Sequence, residues 1–251
     1  MLTTQRKRSI LDVLARDGEV QATALAEAFS VSEDTIRRDL RELAAEGLLQ
    51  RVHGGALPAS QAVAPFAQRR SLETSGKRAV GKAAALMVKP GQIVIIDGGT
   101  TSAELVKHLP RSLSATVVTH SPSVAVALVD HPLIEVIVIG GKLYKHSIVT
   151  VGAAAIEAVS HINADMYFMG VTGVHATAGL STGDLEEAYV KRALAARSAE
   201  TVVLATNEKL NAASAYAIGD VTLAQTIIVE RSADVAATKP IEKRGVEIVR
   251  A

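Results

Sequence analysis

Residues Asp97-Gly98-Gly99-Thr100-Thr101-Ser102 set one carboxylate, two glycines and three hydroxyls in an unbroken row. The row follows the apolar run Ile93-Val94-Ile95-Ile96, the pattern of a buried strand whose Gly-rich turn opens a helix. Backbone N–H groups at such a turn have no helical partner and, with hydroxyls beside them, suit an anion such as phosphate. A routine strand-to-helix turn with Ser/Thr capping fits the same residues, so the loop alone leaves both readings open. No Gly-Lys-Ser/Thr follows, which excludes a P-loop, and the GxGxxG dinucleotide spacing is missing. Small polar residues recur after other apolar runs, at Thr119-His120-Ser121, Gly140-Gly141 and Gly170-Val171-Thr172-Gly173. Ligands of open α/β sheets lie at carboxyl strand ends, so these turns are candidates to converge on one crevice.

The titratable residues are less directive. Glu187 and Lys191 stand four apart on an expected helix, in the stabilising orientation, and spacing alone reads them as a surface ion pair. Asp184 reads as the start of that helix, with an Asp184–Glu187 carboxylate pair facing a ligand as the alternative. The seven histidines (53, 108, 120, 131, 146, 161, 175) show no HExxH or paired metal spacing, so neither metal nor cofactor is expected. Only His120 sits at a strand end where ligand contact is expected; the others read as surface or capping groups. The absence of Cys excludes disulfides, thiol nucleophiles and Cys-bound zinc or iron–sulfur clusters. Four Tyr, three Phe and no Trp disfavour an aromatic cage or a single-strand nucleic-acid platform.

A second constellation lies near the amino terminus: Ser32, Glu33, Thr35, Arg37, Arg38 and Arg41, then Arg51, His53, Gly54 and Gly55. Arginine pairs bidentately with guanine or clamps a phosphate, and Ser and Thr hydroxyls donate to backbone oxygens. Bulk charge gives no support, since the chain carries +1 and residues 1–57 hold eight Lys/Arg against nine Asp/Glu. Placement must decide. Ile10, Leu11, Val13 and Leu14 give residues 5–16 helical periodicity, ended by Asp17-Gly18. A short helix over 22–29 follows, and Ser32 is a good N-cap for a third, whose Ile36, Leu40 and Leu43 form a core-facing stripe. Gly47 stops it, and a strand over 48–52 meets the tight turn His53-Gly54-Gly55-Ala56. This order spells a winged helix-turn-helix, whose third helix enters the major groove while the glycines let the wing approach a phosphate or the minor groove. A three-helix bundle with solvated arginines is the plainer alternative, and Arg37-Arg38 by itself favours it. The ordered caps, stripe, stop and turn are more specific and favour DNA.

At ~150 residues per domain, 251 residues make one large domain or two unequal ones. Hydrophobic residues at 48% and charged ones at 21% support a substantial core. Pro, Ala, Ser and Gln over 58–75 mark a linker between residues 1–57 and 76–251. Beyond it, apolar strands near 92–97, 115–119, 134–140, 165–169, 201–205 and 226–229 alternate with helices near 77–88, 101–108, 123–129, 153–160 and 184–197, with a β-like piece at 147–151. That is an α/β domain with a sheet covered on both faces. No long apolar segment is present, so no membrane partner is expected and the cytoplasm is the expected location.

The run Val31-Ser32-Glu33-Asp34-Thr35-Ile36-Arg37-Arg38-Asp39-Leu40, with Arg51-Val52-His53-Gly54-Gly55-Ala56, resembles the signature of DeoR-family transcriptional repressors of sugar catabolism. Most of residues 75–230 is similar to that family's effector domain, in the Asp97-Gly98-Gly99-Thr100-Thr101 loop, the Glu187…Lys191 pair and Lys209. The resemblance implies a winged helix-turn-helix ahead of a sensing and oligomerisation domain similar to ribose-5-phosphate isomerase. It puts Ser32, Thr35, Arg37 and Arg38 on the recognition helix, His53, Gly54 and Gly55 on the wing, and a sugar phosphate against residues 99–102. Two departures bear on which sugar is bound: His120 stands where many relatives carry Asn, and Thr206 where an Asp often precedes the lysine by three positions. The expected function is a repressor of carbohydrate catabolism genes, released from double-stranded operator DNA by a phosphorylated sugar. Repeated half-sites require at least a dimer, so a homodimer or homotetramer is expected. The alternative is a sugar-phosphate isomerase with an appended DNA-binding module, for which Asp97, Asp184 and Glu187 are the carboxylates on offer.

Overall fold

The computed structural model describes residues 2–60 and 74–251. In the amino-terminal unit, α1 (Thr3–Asp17) ends where Gly18 turns left-handed and donates its N–H to the Leu14 carbonyl. Strand β1 (Val20–Gln21) leads into α2 (Ala22–Phe29). Ser32 caps α3 (Glu33–Ala45), its hydroxyl accepting from the Thr35 N–H, while Glu33 and Asp34 meet the positive end of the helix dipole. Strands β2 (Leu49–Val52) and β3 (Gly55–Pro58) form the wing, with β3 between β2 and β1 in one antiparallel sheet. The Gly54 carbonyl at the wing turn accepts the Ala22 N–H at 2.8 Å, satisfying the open end of α2. Ile36, Leu40 and Leu43 close on Ile10, Leu14 and Leu25 in a small core of their own.

That core hides an ion pair. Arg6 of α1 reaches Asp39 on the inner face of α3 through two nitrogens, at 2.5 and 3.1 Å, with both side chains buried. The pair fixes the rotation of α3 and hence which residues it presents outward.

The carboxy-terminal unit begins with α4 (Thr74–Met87), β4 (Ile93–Ile96), α5 (Thr100–Lys107), β5 (Ala115–Thr119), α6 (Pro122–Ala127) and β6 (Ile134–Val138). A hairpin of β7 (Lys142–Tyr144) and β8 (Val149–Val151) precedes α7 (Ala153–Ser160) and β9 (Ala164–Gly170). Next come β10 (Gly173–His175), β11 (Gly179–Thr182), α8 (Leu185–Ala196), β12 (Ser198–Ala205) and β13 (Tyr216–Gly219). Then β14 (Thr226–Val229), α9 (Val235–Glu242) and β15 (Glu247–Arg250) complete the unit. Seven strands form a parallel sheet in the order β15-β14-β12-β9-β4-β5-β6. Val94 and Ile96 pack with Val80, Leu105 and Val124 on one face, and Ile95 with Val159, Leu194 and Ile241 on the other. Burial on both faces is why the inner strands read as continuous apolar runs, while the edge strands β6 and β15 keep exposed positions.

Parts of this architecture differ from the expectation. Pro58 ends β3 opposite Leu49, Ala59 bridges Ala213, and α4 starts at Thr74, so both ends of the expected linker 58–75 carry structure. Its residues 61–73 lie outside the described residues. The antiparallel sheet β10-β11-β13 and the pair α9 and β15 were not expected. The first three are short and rich in Gly, Ser and Thr, and α9 contains Pro240, so neither periodicity nor propensity announces them. Among the described residues, no helix is long and apolar enough to cross a membrane.

Gly55 lies so close to β1 that a methyl group there would stand 1.9 Å from the Val20 carbonyl oxygen. Gly55→Ala is therefore expected to destabilise the amino-terminal unit by about 2 kcal/mol or more through overpacking. Gly54→Ala, in open space but at φ 80°, is expected to cost about 1 kcal/mol. The urea midpoint of that unit's transition checks both.

Candidate effector crevice and nucleic-acid interface

Strand order fixes where a crevice opens. From β4 the chain proceeds outward through β5 and β6, then returns to β9 on the other side of β4 and runs away through β12, β14 and β15. Connections leaving β4 and β9 in opposite directions open a crevice at their carboxyl ends. Asp97 follows β4 and Gly170 ends β9, and the Gly170 N–H donates to Asp97 Oδ2 at 2.8 Å.

The Asp97 carboxylate is fully buried and meets five donors. Oδ1 accepts from the Gly98 N–H at 2.7 Å and faces His120 Nε2 at 2.6 Å. Oδ2 accepts from the Gly170 N–H, from the Tyr167 hydroxyl at 3.1 Å and from the Lys191 ammonium. A carboxylate offers about four lone-pair positions, so Asp97 keeps none for a ligand and acts as a strut beneath the crevice. Lys191 also donates to the Gly170 carbonyl at 2.9 Å and lies 3.4 Å from Glu187, whose other oxygen accepts from Thr182 at 2.7 Å. The expected surface pair Glu187–Lys191 is thus corrected: the residues are 6% and 2% exposed. Helix α8 turns that face onto the sheet, where the Asp97 charge needs a cation.

Burial alone would push the Asp97 carboxyl up, but Lys191 and His120 outweigh it and hold it well below the usual carboxylate range. Burial likewise draws Lys191 down, and Asp97 with Glu187 more than reverse it. The Tyr167 phenol is driven far above its ordinary value, by burial first and then by the Asp97 charge, so its hydroxyl stays a donor.

Around this centre the other candidates take definite places. The Thr119 hydroxyl donates to the Ile96 carbonyl at 2.6 Å, Ser121 to the Ile148 carbonyl at 3.0 Å, and His120 Nδ1 faces the Thr150 carbonyl at 2.9 Å. Residues 119–121 therefore stitch β5 to β4 and to the β7–β8 hairpin, with all three buried. Gly98 fits beneath that hairpin, since a methyl there would stand 2.3 Å from Val149. Gly140 and Gly141 lie exposed where the chain enters β7. Asp184 is the N-cap of α8, accepting from the Glu187 N–H at 2.9 Å rather than pairing with its carboxylate. Lys209, buried in a 3-10 turn, donates to the Leu204 carbonyl at 3.2 Å, and Thr206 donates to Glu208 at 2.6 Å.

The start of α5 differs from its surroundings. Gly99 is the N-cap and supplies no side-chain acceptor, so the first N–H groups of α5, at Thr100, Thr101 and Ser102, have neither a helical partner nor a side-chain cap. Ser102 leans on the Gly98 carbonyl at 3.4 Å. The Thr101 hydroxyl, on a residue 4% exposed, has no hydrogen-bond partner among the described residues. Tyr167, Thr150 and Thr182 were missed by the sequence reading. Only Tyr167 gave a signal, as a hydroxyl within an apolar run that must find a partner once buried.

On the amino-terminal unit, Arg37, Arg38 and Arg41 are exposed along α3, and Arg51 and His53 along the wing. Arg37 is engaged by Glu33 at 2.6 Å and lies 3.8 Å from Asp34, whereas the salt bridges among the described residues involve neither Arg38 nor Arg41. Ser32 and Thr35 hold each other at 2.9 Å. A groove of about 400 Å³ runs between α3 and the wing, bordered by Arg37, Leu40, Arg51 and His53.

The chain matches the family described as the DeoR-like helix-turn-helix domain over residues 6–62 and the DeoR C terminal sensor domain over residues 72–231. It belongs to the DeoR family. DeoR-family membership makes it a transcriptional regulator, with DNA as the partner of its amino-terminal unit and an effector as that of its sensor domain. Its relatives include the HTH-type transcriptional regulator GlpR of Haloferax volcanii, 31% identical over 99% of this chain and 98% of the relative. They also include the glycerol-3-phosphate regulon repressor of Escherichia coli K12 (27% identical, 99% of each chain) and the repressor GlcR of Bacillus subtilis (29%, 99% and 96%). Among solved structures, the sorbitol operon regulator SorC of Klebsiella pneumoniae is 12% identical over 96% of this chain and 99% of that one, with a TM-score of 0.46. Ribose 5-phosphate isomerase of Methanocaldococcus jannaschii is 19% identical over 53% and 52%, at a TM-score of 0.40.

In this DeoR-family chain the buried charges set a pH window. Asp97, lowered in the fold, contributes stability above its ordinary value of 3.8 and loses it as pH falls toward the lowered value. Lys191, raised in the fold, contributes below 10.5 and loses it as pH rises beyond. The sensor domain is expected to melt highest between these limits and lower on either side, which a melting series across pH checks. Lys191→Met, which strands a buried carboxylate, is expected to cost about 3–5 kcal/mol, read from urea unfolding.

Proposed function

We propose that this regulator represses carbohydrate catabolism genes and leaves its operator when a phosphorylated sugar binds the sensor domain. The observation that carries the reading is the buried, unpartnered Thr101 hydroxyl beside the uncapped start of α5. An uncapped helix start with a spare hydroxyl favours a phosphate, which would take N–H bonds from Thr100–Ser102 and a further one from Thr101. The buried charges hold that turn in place without being spent on the ligand. One relative is named for a glycerol-3-phosphate regulon, which agrees with a phosphorylated effector. The isomerase reading needs a carboxylate free to move a proton. Asp97, Glu187 and Asp184 all have protein partners, which favours a binding role over turnover.

On DNA, Arg38 and Arg41 on α3 and Arg51 and His53 on the wing are the contacts favoured, in the cytoplasm and as a homo-oligomer spanning repeated half-sites. Effector and operator then change each other's affinity by one common factor.

A thermal-shift screen of phosphorylated and unphosphorylated sugars, paired with operator gel shifts, tests the effector. A phosphorylated sugar is expected to raise the melting temperature and weaken operator binding, and its unphosphorylated form to do neither. At a hundred times Kd the stabilisation is about 2.7 kcal/mol. Thr101→Val should reduce that sugar's affinity about 10-fold, the size of one hydrogen bond to an anion. If none of the phosphorylated sugars shifts melting or operator affinity, the reading fails. For DNA, Arg38→Ala is expected to weaken operator binding by about 1–3 kcal/mol, and Arg37→Ala, already held by Glu33, by less.

A further inference from the structure

We infer that residues 170–173 carry the state of the effector crevice to the DNA-binding unit, because one end of this segment is bonded to the buried charges and the other to Ser60, two residues beyond the strand of the wing. The inference rests on the function proposed above and names how that site is read.

At the crevice end, the Gly170 N–H is held by Asp97 and its carbonyl by Lys191. Two residues on, the Thr172 carbonyl accepts the Ser60 hydroxyl. The Ala213 N–H donates to the Pro58 carbonyl at 3.4 Å, and the Ser60 N–H donates to the Ala213 carbonyl at 3.3 Å. Thr172 and Ser214 join hydroxyls at 2.7 Å, and a methyl at Gly173 would stand 2.5 Å from the Ala212 carbonyl. Pro58 is the last residue of β3, so the wing strand passes onto the sensor domain with no slack between them. From Gly170 to Thr172 the chain spans at most ~7 Å. Val171 between them is buried and Thr172 is held at its N–H, hydroxyl and carbonyl, so a displacement at Gly170 is passed to Thr172.

A second attachment lies one strand further. His175 Nδ1 accepts from the N–H groups of Thr177 and Ala178 at 3.3 and 3.2 Å, which leaves Nε2 to face Glu19 at 3.6 Å. Between the wing turn and this hairpin is a cavity of about 290 Å³, bordered by Glu19, Gln21, His53 and His175. On this side the two units face each other across that void, with His175 and Glu19 approaching from either side.

Hydrogen exchange on the full-length protein without sugar tests the route from both ends. Ser60→Ala removes the side-chain tie two residues beyond the wing strand while leaving the backbone bonds to Ala213, and Thr182→Val removes the hydroxyl that steadies Glu187. Ser60→Ala is expected to speed exchange at the Gly170 and Thr172 amides about 3- to 10-fold, the effect of one lost hydrogen bond. Thr182→Val is expected to speed the amides of residues 55–57, 59 and 60 similarly, with β12 and β14 unchanged in both. Should Thr182→Val fail to fold, Glu187→Gln perturbs the same centre. A change confined to the unit that carries each substitution overturns the route. In operator binding, the double variant is expected to depart from the product of the two single effects by more than about two-fold, and a simple product overturns the route as well. Neither measurement uses a sugar, so its outcome is separate from that of the effector screen.

Discussion

A carboxylate brought into the middle of an apolar sheet must be neutralised where it stands, and much of the sensor domain is arranged around that requirement. Asp97 lies at the switch point, where the strand order leaves room for a ligand and where solvent is excluded beneath it. Lys191 arrives from α8, His120 from the end of β5, Tyr167 and Gly170 from β9. Three separate elements are thus fixed to one pair of oxygens. Desolvating these charges is costly, and the cost is offset only because every partner is present together. The return is positional: the turn at Gly98–Gly99 and the start of α5 are held in place, as the proposed anion site needs, with the Asp97 carboxylate already engaged.

The amino-terminal unit solves a smaller version of the same problem. Its core is too small to fix helix rotation by packing alone, and Arg6–Asp39 adds a directional constraint across it. Directionality matters there because α3 must present Arg38 and Arg41 outward together. A slip of one residue would turn that edge by about 100°. The wing is locked to α2 through the Gly54 carbonyl and to β1 through the close approach at Gly55.

Much of this was legible in the sequence. The Ser32 cap, the Ile36–Leu40–Leu43 stripe and the Gly18 stop state local rules that packing did not override. The apolar runs marked six strands of the parallel sheet; in the inner five, burial on both faces removes most polar residues, whereas β6 at the edge keeps its apolar run with Ile137 and Val138 exposed. What could not be read depended on partners distant in the chain. Glu187 and Lys191 look the same at i, i+4 whether they face water or a carboxylate ninety residues away. Asp39 counts as one more surface charge until Arg6 is seen opposite it. The β10-β11-β13 sheet has neither a long apolar run nor a recognisable turn signal, and its existence follows from the surface it packs on.

The two kinds of charge in this chain answer differently to dissolved ions. Lys191, Asp97 and Arg6 are sealed from solvent, so mobile ions scarcely screen them. The arginines along α3 stand in water, and under the proposed DNA contacts their hold on phosphates falls steeply as counterions compete. On that reading, concentrated electrolyte strips the amino-terminal unit from its duplex while the buried charge centre of the sensor domain keeps its shape.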